Sequence, residues 1–289
     1  MISRLRGTIV SLCLALILLC IPCTAQTSFA THIVLDRETF PAESYPELQR
    51  IANLVSQDID RLIPGKMSEF AYDDIFCYQI KPTDTVALGV IRAPITISAD
   101  YRLPYEPQYV IPGRTRFALS YAGINVGQFV YQLAHEIAHV KMGVRLDNYL
   151  IETLATAVSH QVLIDMGMVP YLQLELGLEM AQLPADVVAQ YRAQDLAPLR
   201  RYWQASISKQ GFRMDDRPFQ TLGAALIRSE NVDWRPLLGV GFLNSNCPLN
   251  SHPMNYAACP PDIERMRVIA PILHSIGYDI TPHGLSLPL

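Results

Sequence analysis

The sequence predicts an α+β protein in which a small sheet-bearing N-terminal lobe precedes a mainly helical lobe. Runs rich in Val, Ile and Thr, which favour strands, are concentrated before residue 122. After residue 123, apolar residues recur at the spacing of three and four that is typical of helices. Of the 289 residues, 50% are hydrophobic and 17% are charged, which is enough apolar material for a sizeable core. We therefore expect residues 26–122 and 123–289 to form two lobes of one domain.

The N-terminal lobe is predicted to combine strands with one helix. An apolar alternation over residues 31–36 predicts a strand, and residues 43–62 are predicted to form a helix that ends at Pro64 and Gly65. Further strands are predicted over residues 85–91, 94–99 and 117–122. Residues 100–116, which contain three prolines, are predicted to form an irregular loop.

The second lobe is predicted to consist mainly of helices. One helix is predicted over residues 123–142, ended by Gly143, and a second over residues 148–168, ended near Pro170. The connection between them is short, so we expect these two helices to form an antiparallel hairpin. More helices are predicted over residues 187–206, 218–229 and 261–276, and a loop is predicted over residues 244–261.

The N-terminus has the order of segments found in a secretory signal. Arg4 and Arg6 precede an uncharged apolar run over residues 9–21, which is followed by small residues up to Ala25. We expect cleavage after Ala25, so that residues 1–25 are removed and the mature protein is secreted or periplasmic, with no stable membrane span. The alternative is an uncleaved membrane anchor. The net charge of −4 gives no indication of a nucleic-acid partner.

Cleavage at this point would leave three cysteines, Cys77, Cys247 and Cys259. In an oxidising compartment, a disulfide between Cys247 and Cys259 would close a short loop and stabilise the fold by about 2–3 kcal/mol. Three buried thiols are the alternative, because the number of cysteines is odd.

The segment His135-Glu136-Ile137-Ala138-His139 is the strongest functional signal in the chain. Residues four apart lie on one face of a helix, so His135 and His139 can direct two imidazoles at one metal ion. Zinc favours such nitrogen ligands, and a catalytic zinc site keeps one position for water. Glu136 lies beside this face and can accept a proton from that water. The alternative is a pair of core histidines with satisfied hydrogen bonds.

Glu152 is the best candidate for the third ligand of a zinc ion. If the turn between the two helices is centred near residue 145, Glu152 lies at about the same height as His139. Glu152 also interrupts an otherwise apolar helix, where an ionised carboxylate is costly unless it is paired. Asp147 and His160 are the alternatives, although Asp147 is suited to capping the second helix and His160 would lie about 7 Å or more below the ion.

The two histidines, the motif glutamate and the downstream Glu152 together resemble the gluzincin branch of the zincin metallopeptidases. The resemblance is close over about 30 residues, 127–158. It implies a zincin-like fold in which His135, His139 and Glu152 bind Zn²⁺ and Glu136 is the general base. It also implies that an edge strand, which residues 85–99 could supply, aligns an extended peptide substrate across the cleft.

Two further segments are similar to HtpX-like peptidases. The run from Glu152 to Thr156 is similar to their Glu-x-x-Ala-Asp segment, with Thr156 in place of the Asp that supports a zinc-binding histidine in that family. The run Ser251-His252-Pro253, with Arg265 further on, faintly resembles a late segment of the same family.

Acyl transfer also needs a group that stabilises the oxyanion. We take His252 as the catalytic candidate for this role, with Tyr149, His160 and Arg265 as alternatives, and a surface-loop histidine as the other interpretation of His252.

The sequence therefore predicts a zinc-dependent metallopeptidase that hydrolyses peptide or protein substrates. Two other functions remain open. One is a zincin-like module that has lost activity and serves in binding or scaffolding. The other is a zinc amidase that acts on cell-wall material.

Overall fold

The computed structural model of the chain describes the residues 31–65, 74–80, 95–97, 115–119, 125–143, 149–210, 217–238, 240, 267–281 and 284–286. Several features predicted above lie outside these residues. They are the signal segment 1–25, the strand over 85–91, most of the loop over 100–116, the loop over 244–261, Asp147, Cys247, His252, Cys259 and Arg265.

A four-stranded mixed sheet forms the first lobe. Its strands are β1 (His32–Leu35), β2 (Asp74–Gln79), β3 (Ile95–Ile97) and β4 (Arg116–Leu119), in the order β1-β2-β4-β3. The pairs β1–β2 and β2–β4 are parallel, whereas β3 is antiparallel to β4. The strands expected over residues 31–36, 94–99 and 117–122 are confirmed within the described residues as β1, β3 and β4.

Strand β2 was not predicted from the sequence. It lies between β1 and β4, and Ile75, Cys77 and Tyr78 are all buried. An interior strand that buries residues on both faces does not show the simple alternation of apolar and polar residues that marks a half-buried strand.

Helix α1 (Tyr45–Leu62) confirms the helix that was predicted over residues 43–62. It packs against β1 and also bonds to its outer edge. Gln49 donates from Nε2 to the Ile33 carbonyl at 2.7 Å and accepts at Oε1 from the Leu35 N–H at 3.0 Å. This side chain therefore satisfies backbone groups that the sheet leaves unpaired at its edge.

The second lobe is helical. Its helices are α2 (Val126–Met142), α3 (Tyr149–Asp165), α4 (Val169–Met180), α5 (Ala185–Arg192), α6 (Leu196–Gln210), α7 (Arg217–Ser229) and α8 (Ala270–Ser275). A 3₁₀ turn covers Arg235–Leu237, and strands β5 (Asp279–Thr281) and β6 (Gly284–Ser286) pair as an antiparallel hairpin. The described chain is thus mixed and mostly helical, as an α+β protein should be.

Two predictions about helix boundaries were wrong. Pro170 was expected to mark the end of a helix, but it lies in the first turn of α4, where its missing N–H costs nothing. The helix before it ends instead near Gly167, which has a left-handed φ of 73°. The single helix expected over residues 187–206 is two helices, α5 and α6, with Gln194 between them at a positive φ of 55°.

Helices α2 and α3 lie at the centre of the molecule. Helix α2 packs on α1 and β4, and α3 packs on α7 and α4. One cluster of buried apolar side chains includes residues of the sheet, of α1 and of the helical lobe. In the part of the chain that the structure describes, no helix has both the length and the apolar character needed to cross a bilayer.

Candidate metal centre

Helix α2 carries the first two candidate ligands and has well-defined ends. At its start, the side chain of Asn125 accepts a hydrogen bond from the Gln128 N–H at 3.2 Å, which satisfies one of the free N–H groups of the first turn. At its end, Gly143 adopts a left-handed φ of 73°, which glycine does without a steric penalty. His135 and His139 lie in the last two turns before this stop.

The two imidazoles and the carboxylate of Glu152 converge on one point between α2 and α3. The rings of His135 and His139 are 4.7 Å apart between centroids, at an angle of 69°. The Nε2 atom of His135 lies 3.0 Å from Oε2 of Glu152, and the Nε2 atom of His139 lies 3.4 Å from Oε1. The three side chains each offer one ligand atom, and these atoms all lie within 4.8 Å of one another.

These distances fit a metal ion that binds all three side chains. Tetrahedral ligands at about 2.0–2.1 Å from a zinc ion are separated from one another by about 3.3–3.4 Å. The His139–Glu152 separation of 3.4 Å already has this value, and the His135–Glu152 separation of 3.0 Å needs only a small side-chain shift. The cluster therefore could hold a metal ion.

Burial and electrostatics both favour a cation at this point. His135 and His139 are buried, and the side chain of Glu152 is only 15% exposed. Burial alone would raise the pKa of the Glu152 carboxyl, but the charge of His139 and the hydrogen bonds to both imidazoles outweigh it and hold this pKa well below its usual range. Glu152 also lies in the first turn of α3, where the helix dipole favours a negative charge.

Glu136, which directly follows His135 in the chain, is buried and 2% exposed, and it does not belong to the group of converging ligand atoms. Its negative charge reaches the neighbouring sheet. Burial raises the pKa of the Cys77 thiol on β2, and the charges of Glu136 and then Asp36 raise it further. Cys77 itself is a buried free thiol. The motif glutamate thus lies in the interior, close enough to β2 for its charge to act on Cys77.

The other candidate residues lie away from this cluster or outside the described chain. His160 is fully buried on α3, and it does not belong to the group of converging ligand atoms. The helix of Tyr149 is described, but not the position of its side chain. Asp147, His252 and Arg265 fall outside the described residues.

Two features of the surroundings were not predicted from the sequence. Lys141, two residues after His139, is 2% exposed and forms an ion pair with Asp60 of α1. Its Nζ also donates to the Gly65 carbonyl at 2.6 Å. Lysine is rarely buried without a partner. Here the partner lies on a different helix, so nothing in the local sequence indicates the pair.

The second unpredicted feature is a row of polar side chains between α2 and α3. Tyr131, Thr156 and His160 continue the faces that carry His135 and Glu152 into the protein interior. The spacing of four residues on each helix is a signal that could have indicated this row.

Comparison of the chain with known protein families, with characterised proteins and with solved structures finds no match. The resemblance to gluzincins rests on the residues of α2 and α3 described above.

Proposed function

We propose that this protein is an exported zinc-dependent metallopeptidase of zincin-like fold that hydrolyses peptide bonds. The observation that supports the proposal most strongly is the convergence of His135, His139 and Glu152, and Glu136, which directly follows His135 in the chain, is buried as well. Two imidazoles and one carboxylate form the ligand set of several catalytic zinc sites, and such a set leaves a coordination position open.

The chemical nature of the three donors favours zinc over other common ions. Calcium and magnesium bind through six or more oxygen atoms, which three side chains with two imidazoles do not provide. Zinc accepts mixed nitrogen and oxygen ligands in a tetrahedral arrangement. When bound there, a zinc ion would polarise the substrate carbonyl and lower the pKa of a water molecule towards 7.

Each candidate site residue has a separate role in this proposal. His135, His139 and Glu152 hold the ion, and Glu136 accepts the proton of the attacking water and passes it to the leaving amine. His252 is the candidate that stabilises the oxyanion of the tetrahedral intermediate. Strand β3 lies at the edge of the described sheet and contacts α2, so it is the candidate that aligns an extended substrate.

The proposal is tested with the substitution Glu136→Gln, which keeps the size and polarity of the side chain but removes the proton acceptor. We expect zinc content to be retained while peptide cleavage, measured on a peptide library, falls by about 10²–10⁴-fold. The matched control is Glu179→Gln on α4, where the carboxylate bonds only to Gln182 among the described residues. This control should cleave at the rate of the parent protein.

Two results would contradict the proposal. A zinc-loaded Glu136→Gln protein that cleaves as fast as the parent would remove Glu136 from the mechanism. A zinc-loaded parent protein that cleaves no peptide would exclude the peptidase activity.

A further inference from the structure

The polar row between α2 and α3 extends from the candidate metal centre into the core. We call Tyr131, Thr156 and His160 the polar seam. Tyr131 lies one turn before His135 on α2, and its ring centroid is 6.1 Å from that of His135 and 5.9 Å from that of His160. Thr156 and His160 lie one and two turns after Glu152 on α3 and are 1% and 0% exposed.

Several polar atoms in this region are buried without a hydrogen-bond partner among the described residues. They are Nδ1 of His135, Oγ1 of Thr156 and both ring nitrogens of His160. Thr156 is near enough to the Tyr131 hydroxyl to lower the pKa of Tyr131. The Thr156 hydroxyl still has no partner that meets the geometry of a full hydrogen bond. Buried polar groups in native proteins are almost always satisfied, so these four unpartnered atoms require an explanation.

The orientation of His135 links this cluster to the metal centre. Its Nε2 atom faces Glu152, so its Nδ1 atom points away from the converging ligand atoms. A histidine that binds a metal through one nitrogen generally donates its other N–H to a fixed partner. That partner sets the tautomer and the orientation of the ring. Nδ1 of His135 is buried without a partner, and the unpartnered atoms of Thr156 and His160 lie on the helix that packs against α2.

The protonation states of the seam suit this role. Burial raises the pKa of Tyr131 to about 12. Burial, together with the positive charges of Arg228 and His135, holds the pKa of His160 well below its ordinary value. Both side chains are therefore neutral near pH 7, and each can both donate and accept a hydrogen bond.

We propose that Thr156 and His160 are positioning residues that orient His135 through a water molecule enclosed in the seam. The N–H at Nδ1 of His135 donates to this water, which is held by the Thr156 hydroxyl and by a ring nitrogen of His160. A bridging water needs two to four polar partners, and the seam offers them. The inference rests on the proposed function, because it assigns His135 as a metal ligand.

The test measures zinc affinity by competition with a chromophoric chelator. Thr156→Val keeps the shape of the side chain and removes the hydroxyl, and His160→Leu removes both ring nitrogens. We expect each to weaken zinc binding by about 10- to 100-fold, the usual effect of removing such a supporting group. His160→Gln retains a donor and an acceptor and should restore most of the affinity.

The matched control is Ser159→Ala, one residue before His160. Ser159 is also fully buried, but its hydroxyl donates to the Ala155 carbonyl of its own helix at 2.8 Å. This variant should bind zinc as the parent does. A general loss of packing would instead lower zinc affinity in the control as well.

A second readout follows a ring proton of His135 instead of zinc affinity. In the zinc-loaded protein, where the metal would take Nε2, the Nδ1–H proton of His135 should exchange slowly with solvent because the enclosed water holds it. In Thr156→Val, we expect this proton to exchange faster. The resonance of His135 is assigned with a His135→Gln variant.

The outcomes separate this inference from the proposed function. Parent-like zinc affinity in both Thr156→Val and His160→Leu would overturn the inference alone. If His160→Leu does not fold, parent-like affinity in Thr156→Val is sufficient to overturn it. A parent protein that binds zinc but cleaves no peptide would overturn the function and leave the inference standing. A parent protein that binds no metal would overturn both.

Discussion

At the scale of single residues, Glu152 and His160 show how one helix holds two buried polar groups in different ways. Glu152 lies opposite two imidazoles, where its charge is balanced. His160 lies two turns further along α3, beside Tyr131, and burial keeps it neutral. A buried ionised carboxylate without such partners would be strongly destabilising. The positions of both residues along α3 therefore determine what chemistry each can support.

The neutral state of His160 predicts a dependence of stability on pH. In the folded protein its pKa is lowered well below the ordinary value of 6.5, first by burial and then by the charges of Arg228 and His135. Below pH 6.5 the unfolded chain therefore binds a proton that the folded chain does not, so stability is lost as the pH falls. The loss from this residue approaches about 1.4 kcal/mol for each pH unit.

The measurement is urea unfolding of the metal-free protein at pH 7 and at pH 5. His160→Gln should lose less stability between these two values than the parent loses. Ser159→Ala, which removes no titratable group, should lose as much as the parent. An equal loss in His160→Gln and the parent would show that His160 is not held neutral by the fold.

The motif residues and Glu152 could be predicted from the sequence because each rests on a local rule. A spacing of four places His135 and His139 on one helical face, and Glu152 is an isolated charge in an apolar helix. The partners of Lys141 could not be predicted, because Asp60 lies on a different helix, far away in the sequence. Pairing over such distances is decided by tertiary packing.

At the scale of elements, the position of α3 depends on its close contact with α7. A β-carbon added to Gly223 of α7 would lie 2.6 Å from Cγ2 of Thr153 and 2.7 Å from Nε1 of Trp203. Trp203 is fully buried, and its Nε1 donates to the Phe219 carbonyl at 3.0 Å, so it has little freedom to move. Thr153 directly follows Glu152, so the same contact supports the candidate metal centre.

This contact predicts opposite effects for two glycine substitutions. Gly223→Ala should lower the free energy of unfolding by about 1–3 kcal/mol, the usual cost of overpacking a core. Gly177→Ala on α4 meets no atom within 4 Å and should raise it by about 0.5–1 kcal/mol, because alanine favours the helix. Chemical denaturation measures both. A Gly223→Ala protein as stable as the parent would contradict the close packing of α3 on α7.

The elements that the sequence predicted less well were missed for physical reasons. Strand β2 is buried on both faces, so it lacks a simple alternation of polar and apolar residues. Pro170 can either end a helix or begin one, and only the left-handed Gly167 before it decides between these cases. The helices α2 and α3 were predicted well except for the end of α3, because each has a long apolar pattern and α2 ends at a glycine.

At the scale of the whole molecule, one buried core joins the sheet, α1 and the helical lobe. Helix α2 is in contact with α1, β4 and α3. The candidate metal centre therefore lies between two central helices, and not on a loop. Ligands on such elements are held in place by packing, which favours the fixed geometry that a catalytic metal needs.

Export remains a prediction from the sequence, because residues 1–25 lie outside the described chain. N-terminal sequencing of the protein from its native host should begin near Gln26. Recovery of a form that begins at Met1 in the membrane fraction would favour the uncleaved anchor. The same experiment bears on the cysteines, since only an oxidising compartment favours a disulfide between Cys247 and Cys259.

The central claim is that His135, His139 and Glu152 together hold one zinc ion. Isothermal titration calorimetry, in which zinc is added to the metal-free protein, tests this most directly. The account predicts binding of a single equivalent, a large loss of affinity in His139→Ala and in Glu152→Gln, and parent-like binding in Glu179→Gln. A parent protein that binds no zinc, or a Glu152→Gln protein that binds zinc as tightly as the parent, would contradict it.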